Sequence, residues 1–91
     1  MQTRNRLEIE ISKAELLRDV TTFSTMDCFF ICRHNERSHV SKTAKDQGKN
    51  PRWDEKFEIY PKIDTENVEF DVKHEGISSN EMVGTCTVKV H

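Results

Sequence analysis

Apolar and charged residues alternate strictly along Leu7, Glu8, Ile9, Glu10 and Ile11. A period of two points the aliphatic set to one face of a β-strand and leaves both glutamates in water. The pattern returns toward the other end of the chain. Val68, Phe70 and Val72 alternate with Glu69, Asp71 and Lys73, and Cys86, Val88 and Val90 alternate with Thr85, Thr87 and Lys89; both stretches predict half-buried strands. Between them the run 28–32, CFFIC, is apolar and aromatic throughout and predicts a central strand. Phe57 and Ile59 alternate with Lys56, Glu58 and Tyr60, while Val40 and its neighbours over 38–42 predict a weaker, more exposed strand. Helix formers gather only over 12–19, SKAELLRD, enough for a single turn after the first strand. Polar turn residues fill the joins 21–25, 35–36, 47–51, 61–66 and 76–81. Six strands about ten residues apart, separated by polar turns, predict an all-β antiparallel sandwich.

Composition narrows this picture without changing it. Leu, Ile, Val and Phe make up 21 of 91 residues, a lean core that still lies above the roughly 20% below which disorder is the default reading. One domain over 1–91 is expected at this length. The formal net charge is −2, so there is no global basic field for nucleic acid. The apolar runs fall far short of the roughly 18 residues that span a bilayer, and the opening MQTRNR has no apolar stretch behind it. No transmembrane segment and no secretory signal are expected. Three cysteines, Cys28, Cys32 and Cys86, do not form a disulfide framework and suggest reduced thiols in a cytoplasmic setting.

The order of the pieces resembles a C2 domain. The opening strand Leu7, Ile9, Ile11 is followed by Ala14, Leu16 and Leu17, a loop that begins at Asp19, and Met26 and Asp27 leading straight into a strand. This is similar to the family's first loop, with Cys28 and Phe29 standing where the family carries Pro and Tyr. Lys42 and Thr43, then Asn50, Pro51, Arg52, Trp53, Asp54, Glu55, Lys56 and Phe57, resemble the family's Lys-Thr strand followed by Asn-Pro-x-Trp-Asn-Glu-x-Phe. Met82, Val83 and Gly84 resemble its closing Ile-Gly. The loop 19–27, DVTTFSTMD, looks most like the small single-C2 proteins of plants and protists. The resemblance runs from about Leu7 to Val90. It implies an eight-stranded sandwich, so the domain is incomplete at its C-terminus relative to the family, lacking the last two strands.

The resemblance also implies where calcium would sit. C2 domains that bind it use about five carboxylates from two loops, because a hard cation takes 6–8 oxygen ligands. The first loop supplies Asp19 and Asp27; in the third, His74 stands where the family places one Asp, the position near Gly76 has lost another, and Glu81 holds the last. This degenerate set predicts no metal site, with weak calcium affinity at most, and a loop-capping role for the two aspartates. No cofactor is expected.

A local charge asymmetry is the second feature. Residues 33–56 hold seven basic side chains against four acidic ones. In the family, lysines on the corresponding strands bind acidic headgroups; the resemblance carries that role to Lys42 and Lys56, and Lys45, Lys49 and Arg52 lie between them as further candidates. Phe23 and Met26 occupy the loop where related domains place apolar residues that enter the bilayer. Trp53 belongs to the motif and is expected to pack as scaffold.

Cys28, Cys32, His34 and His39 invite a zinc reading that geometry rejects. On one strand Cys28 and Cys32 lie about 13 Å apart, whereas two thiolates on one zinc each sit about 2.3 Å from it. No orienting group accompanies a cysteine nucleophile, and three glycines provide no phosphate cradle. The chain is expected not to be an enzyme. Two functions stay open: a calcium-independent protein-interaction or assembly module, binding another protein or completing its fold by oligomerisation, and a calcium-independent module that targets acidic phospholipids through the basic face. Either places it in the cytoplasm, at a peripheral membrane or cytoskeletal site.

Overall fold

The alternation at the start of the chain is what the structure uses to close its core. In the computed structural model, which describes residues 6–21, 24–34, 37–60 and 67–89, strand β1 (Leu7–Lys13) pairs antiparallel with β4 (Arg52–Ile59). Leu7 lies opposite Ile59 and Ile9 opposite Phe57, so the aliphatic residues of both strands share one face. The other four strands are β2 (Cys28–His34), β3 (Arg37–Val40), β5 (Asn67–Glu75) and β6 (Asn80–Lys89). They form a second antiparallel sheet in the order β3-β2-β5-β6. The fold is the all-β, six-stranded antiparallel C2-like sandwich that the alternation and the motif order predict.

The apolar run 28–32 lies in the interior of the large sheet, flanked by β3 on one side and β5 on the other. Cys28, Phe30 and Cys32 point inward and are buried. Phe30 meets Trp53 of β4 edge-on at 5.0 Å and Phe57 at 6.0 Å, and His39 of β3 stacks on Phe57 at 4.2 Å. These contacts hold β4 against β2 and β3. Trp53 is scaffold: it is buried, and its Nε1–H donates to the Cys28 carbonyl at 3.1 Å.

Two strands above four leave part of the large sheet uncovered. Cys86 sits opposite Phe70 and Val88 opposite Val68, all on the inward side, yet Cys86 is exposed and Val88 is 47% exposed. Leu7, on the facing sheet, is 36% exposed. Among the described residues no strand pairs with the second edge of β1.

The expected helical turn over 12–19 does not form. Strand β1 runs on to Lys13, and the N–H groups of Ala14 and Leu16 donate across to the Pro51 and Lys49 carbonyls at 3.0 and 2.7 Å. Bonds to a neighbouring loop outcompete a helical turn too short to nucleate alone. Among the described residues no helix is long and apolar enough to cross a membrane.

Candidate functional site: the loop end of the sandwich

Strands β1, β3 and β5 all finish at one end of the sandwich, so three loops meet there: 14–27, 41–51 and 76–79. They are sewn together by backbone. Ala44 N–H donates to the Cys28 carbonyl at 2.8 Å, Gly48 N–H to the Met26 carbonyl at 3.1 Å, and Glu75 N–H to the Asp27 carbonyl at 2.8 Å.

The aspartates predicted as degenerate calcium positions act as loop caps. Asp19 Oδ1 accepts from the Thr21 N–H at 2.8 Å and from the Thr21 hydroxyl at 2.6 Å. Those two bonds, with Lys49 and His74 nearby, hold its carboxyl below the usual range. Asp27 Oδ1 accepts from the Asp46 N–H at 2.7 Å. His74 turns its Nδ1 toward the Asp27 backbone N–H, accepting at 3.0 Å, which requires the proton on Nε2. Glu81 lies opposite His74 in the β5–β6 register and is exposed. Glu75 faces elsewhere, accepting from the Thr43 hydroxyl at 2.6 Å. Among the described residues no three His, Cys, Asp or Glu side chains converge as a metal requires. One carboxylate oxygen each of Asp19 and Asp27 is engaged by an N–H group, and at His74 the chain presents an imidazole where calcium takes a hard oxygen ligand.

The five basic candidates divide into two groups. Lys42, Lys45 and Lys49 are exposed on the loop 41–51 at this end, and none forms an ion pair among the described residues. Arg52 and Lys56 are exposed on the outward face of β4, where Arg52 Nε bonds Asp54 at 2.8 Å and Lys56 Nζ lies 3.7 Å from Glu10. Lys42 lies in the loop that follows β3, in the larger sheet, and Lys56 on β4 of the two-stranded sheet.

Of the two insertion candidates only Met26 is corrected. Phe23 lies outside the described residues. Met26 is 0% exposed and belongs to the core, because the backbone of 26–28 is held against the 41–51 loop and turns this side chain inward. Among the described residues, the fully exposed apolar side chains at this end are Leu17, in the first loop, and Ile77, in the third. Sequence reasoning missed both. Ile77 could have been found as the lone aliphatic residue in a polar turn; Leu17 was hidden in a stretch that reads as helix. Beside Ile77 a shallow groove of about 440 Å³ is lined by Phe29, Val40, Thr43 and Glu75 among others.

Residues 5–91 match the family model described as C2 domain. No curated protein matches the chain. Among solved structures, human GIVD cytosolic phospholipase A2 in complex with methyl gamma-linolenyl fluorophosphonate is similar at TM-score 0.83 and 18% identity, over 96% of this chain and 13% of that one. A C2 domain-containing protein from a putative elicitor-responsive gene is similar at TM-score 0.74 and 22% identity, over 94% of this chain and 64% of that one. A C2 domain of plant extended synaptotagmin 1 is similar at TM-score 0.78 and 22% identity, over 91% of this chain and 66% of that one. The chain thus spans less than two thirds of the length of each, and at these identities the likeness shows the fold.

Proposed function

Because this chain belongs to the C2 domain family, whose domains are generally membrane- or protein-binding modules, we propose that it is a non-catalytic module that docks on acidic membrane surfaces without calcium. The observation that carries this reading is the pairing, at one end of the sandwich, of two fully exposed aliphatic side chains, Leu17 and Ile77, with three lysines, Lys42, Lys45 and Lys49, that form no ion pair among the described residues. A basic residue near an anionic leaflet contributes about 1 kcal/mol. Removing an aliphatic side chain from water contributes about 1.5–3 kcal/mol when complete, and less when the side chain only dips into the interface. The sum gives transient, salt-sensitive docking at a cytoplasmic leaflet. Independence from calcium is supported by Asp19 and Asp27, each of which gives one carboxylate oxygen to an N–H group, Asp19 within its own loop and Asp27 across to Asp46.

Co-sedimentation with phosphatidylcholine vesicles, with and without phosphatidylserine and a phosphoinositide, tests this in calcium and in chelator. Acidic vesicles should bind the chain equally in both, and less as salt shortens the screening length below about 8 Å. Lys45→Glu with Lys49→Glu should abolish the preference for acidic vesicles, and Leu17→Ser with Ile77→Ser should weaken binding about tenfold. Absence of binding in every condition, or binding only with calcium, would overturn the proposal.

The uncovered inward side of β5 and β6 favours a second reading, a protein-assembly module. A solution mass that grows with concentration in light scattering would support self-association of that kind.

A further inference from the structure

The groove beside Ile77 lies on the outward face of the large sheet and has chemistry of its own. Its floor is Phe29, which the alternation along β2 turns outward, away from the inward Cys28 and Phe30. Thr43 stands on one side, and the turn 76–79, with Ile77, Ser78 and Ser79, on the other. This face is turned away from β1 and β4, so strands added beside β1 leave it unchanged. The groove is shaped in advance. The Ser79 carbonyl oxygen closes over Gly76 and leaves no room for a Cβ, and Glu75 Oε2 ties the two sides by accepting from the Thr43 hydroxyl at 2.6 Å. Glu75 is exposed and lines the groove, and among the described residues no cation pairs with it. A negative charge therefore sits in the groove, while Lys42, Lys45 and Lys49 put positive charge on the loop that also carries Thr43.

We propose that this groove binds the ammonium of a phosphatidylethanolamine headgroup, held by Glu75 and the hydroxyls of Thr43, Ser78 and Ser79, with the phosphate left at the mouth beside the lysines of the loop 41–51. Opposite charges on neighbouring loops call for a zwitterion. A primary ammonium brings three N–H donors, and the groove offers acceptors for them in one carboxylate and three hydroxyls. Choline brings none and is recognised through aromatic faces, whereas the one aromatic side chain lining the groove, Phe29, is only 8% exposed. A bilayer is the source of the amine for two reasons. Ile77 follows Glu75 by two residues and is fully exposed, so when Ile77 dips into the interface the carboxylate stands at the level of the headgroups. An exposed ion pair is also weak by itself, and a bilayer presents the headgroup at high local concentration. The inference rests on the membrane-docking reading and deepens it, adding a choice between two lipids of equal net charge.

The test measures affinity of the 91-residue chain for vesicles in which phosphatidylserine is held at a fixed fraction and the remainder is phosphatidylcholine or phosphatidylethanolamine. Exchanging choline for ethanolamine should tighten binding about threefold to fivefold, the range open to one exposed ion pair. N-methyl and N,N-dimethyl phosphatidylethanolamine should fall between the two, since each methyl group removes a donor. Glu75→Gln should bring the ratio of the two affinities to one while binding still rises with phosphatidylserine. Glu75 is exposed, and a thermal melt verifies that the variant folds; the methylation series on the unmodified chain stands without it. A preference for ethanolamine that survives Glu75→Gln would come from lipid packing and overturns the inference, as does a methylation series that leaves affinity unchanged. Binding to acidic vesicles with no difference between ethanolamine and choline overturns this inference and leaves the docking reading standing, whereas failure to bind any vesicle overturns both.

Discussion

Burial pushes the Cys28 thiol up to about 11, with the nearby Asp27 charge adding to it, and burial alone does the same to Cys32. The thiolate is the nucleophile, so neither residue reacts at neutral pH while the core is closed; Cys86 is exposed and does. At pH 7.5 a maleimide should therefore modify one thiol per chain within minutes and three after denaturation in urea, counted by mass spectrometry. Three fast thiols in the native state would mean that the Phe30–Trp53 core opens readily. The same contrast explains what single residues disclosed in the sequence. Burial of Trp53 was legible because its motif fixes it opposite β2, whereas Met26 and Leu17 were not, since residue type alone does not say which way a loop side chain turns. Met26 is carried inward by the Gly48 bond to its carbonyl, and that partner is distant in the chain.

Strands were legible wherever one face is buried, because a period of two survives in the sequence. Leu7 to Ile11 and Val68 to Val72 show it, and the register pairs Leu7 with Ile59 and Val68 with Val88 as that pattern requires. The 41–51 connection was less legible, because its shape comes from positive φ angles and long-range bonds. Asp46 and Gly48 adopt φ of 57° and 61°, and Gly48 sits where a Cβ would lie 3.2 Å from Thr25 Cγ2. Only glycine takes this backbone without cost. Gly48→Ala should destabilise the fold by about 1–2 kcal/mol, measured as a lower urea midpoint. It should also weaken vesicle binding, because the Gly48 N–H ties Lys45 and Lys49 to the first loop. An unchanged midpoint would show that the loop relaxes without that tie.

The two sheets are joined by polar as well as apolar contacts, and these make the whole molecule sensitive to acid. Glu55 of β4 reaches across to β3: its Oε2 lies 2.9 Å from His39 Nε2, and its Oε1 accepts from the Lys42 N–H at 2.8 Å. Burial by itself would raise the Glu55 carboxyl, but the Lys42 and His39 bonds outweigh it and hold the value below the ordinary 4.5. Asp19 and Glu58 are lowered too, by Thr21 and by Arg6 respectively, but both lie at the surface, where solvent screens them, and act weakly. A group whose folded value is depressed stabilises the fold fully above its unfolded value and loses that contribution as pH falls through the folded one. Stability from Glu55 is thus complete above about pH 5 and is lost progressively as pH falls below 4.5 and through the lower folded value. The urea midpoint should hold between pH 7 and 5 and fall toward pH 3. Glu55→Gln removes the charge but keeps an acceptor, so it should cost about 1 kcal/mol at pH 7 and show a flatter acid limb. Parallel pH curves for the two proteins would mean that the carboxylate does not hold the sheets together and that the aromatic stack of Phe30, Phe57 and His39 does so alone.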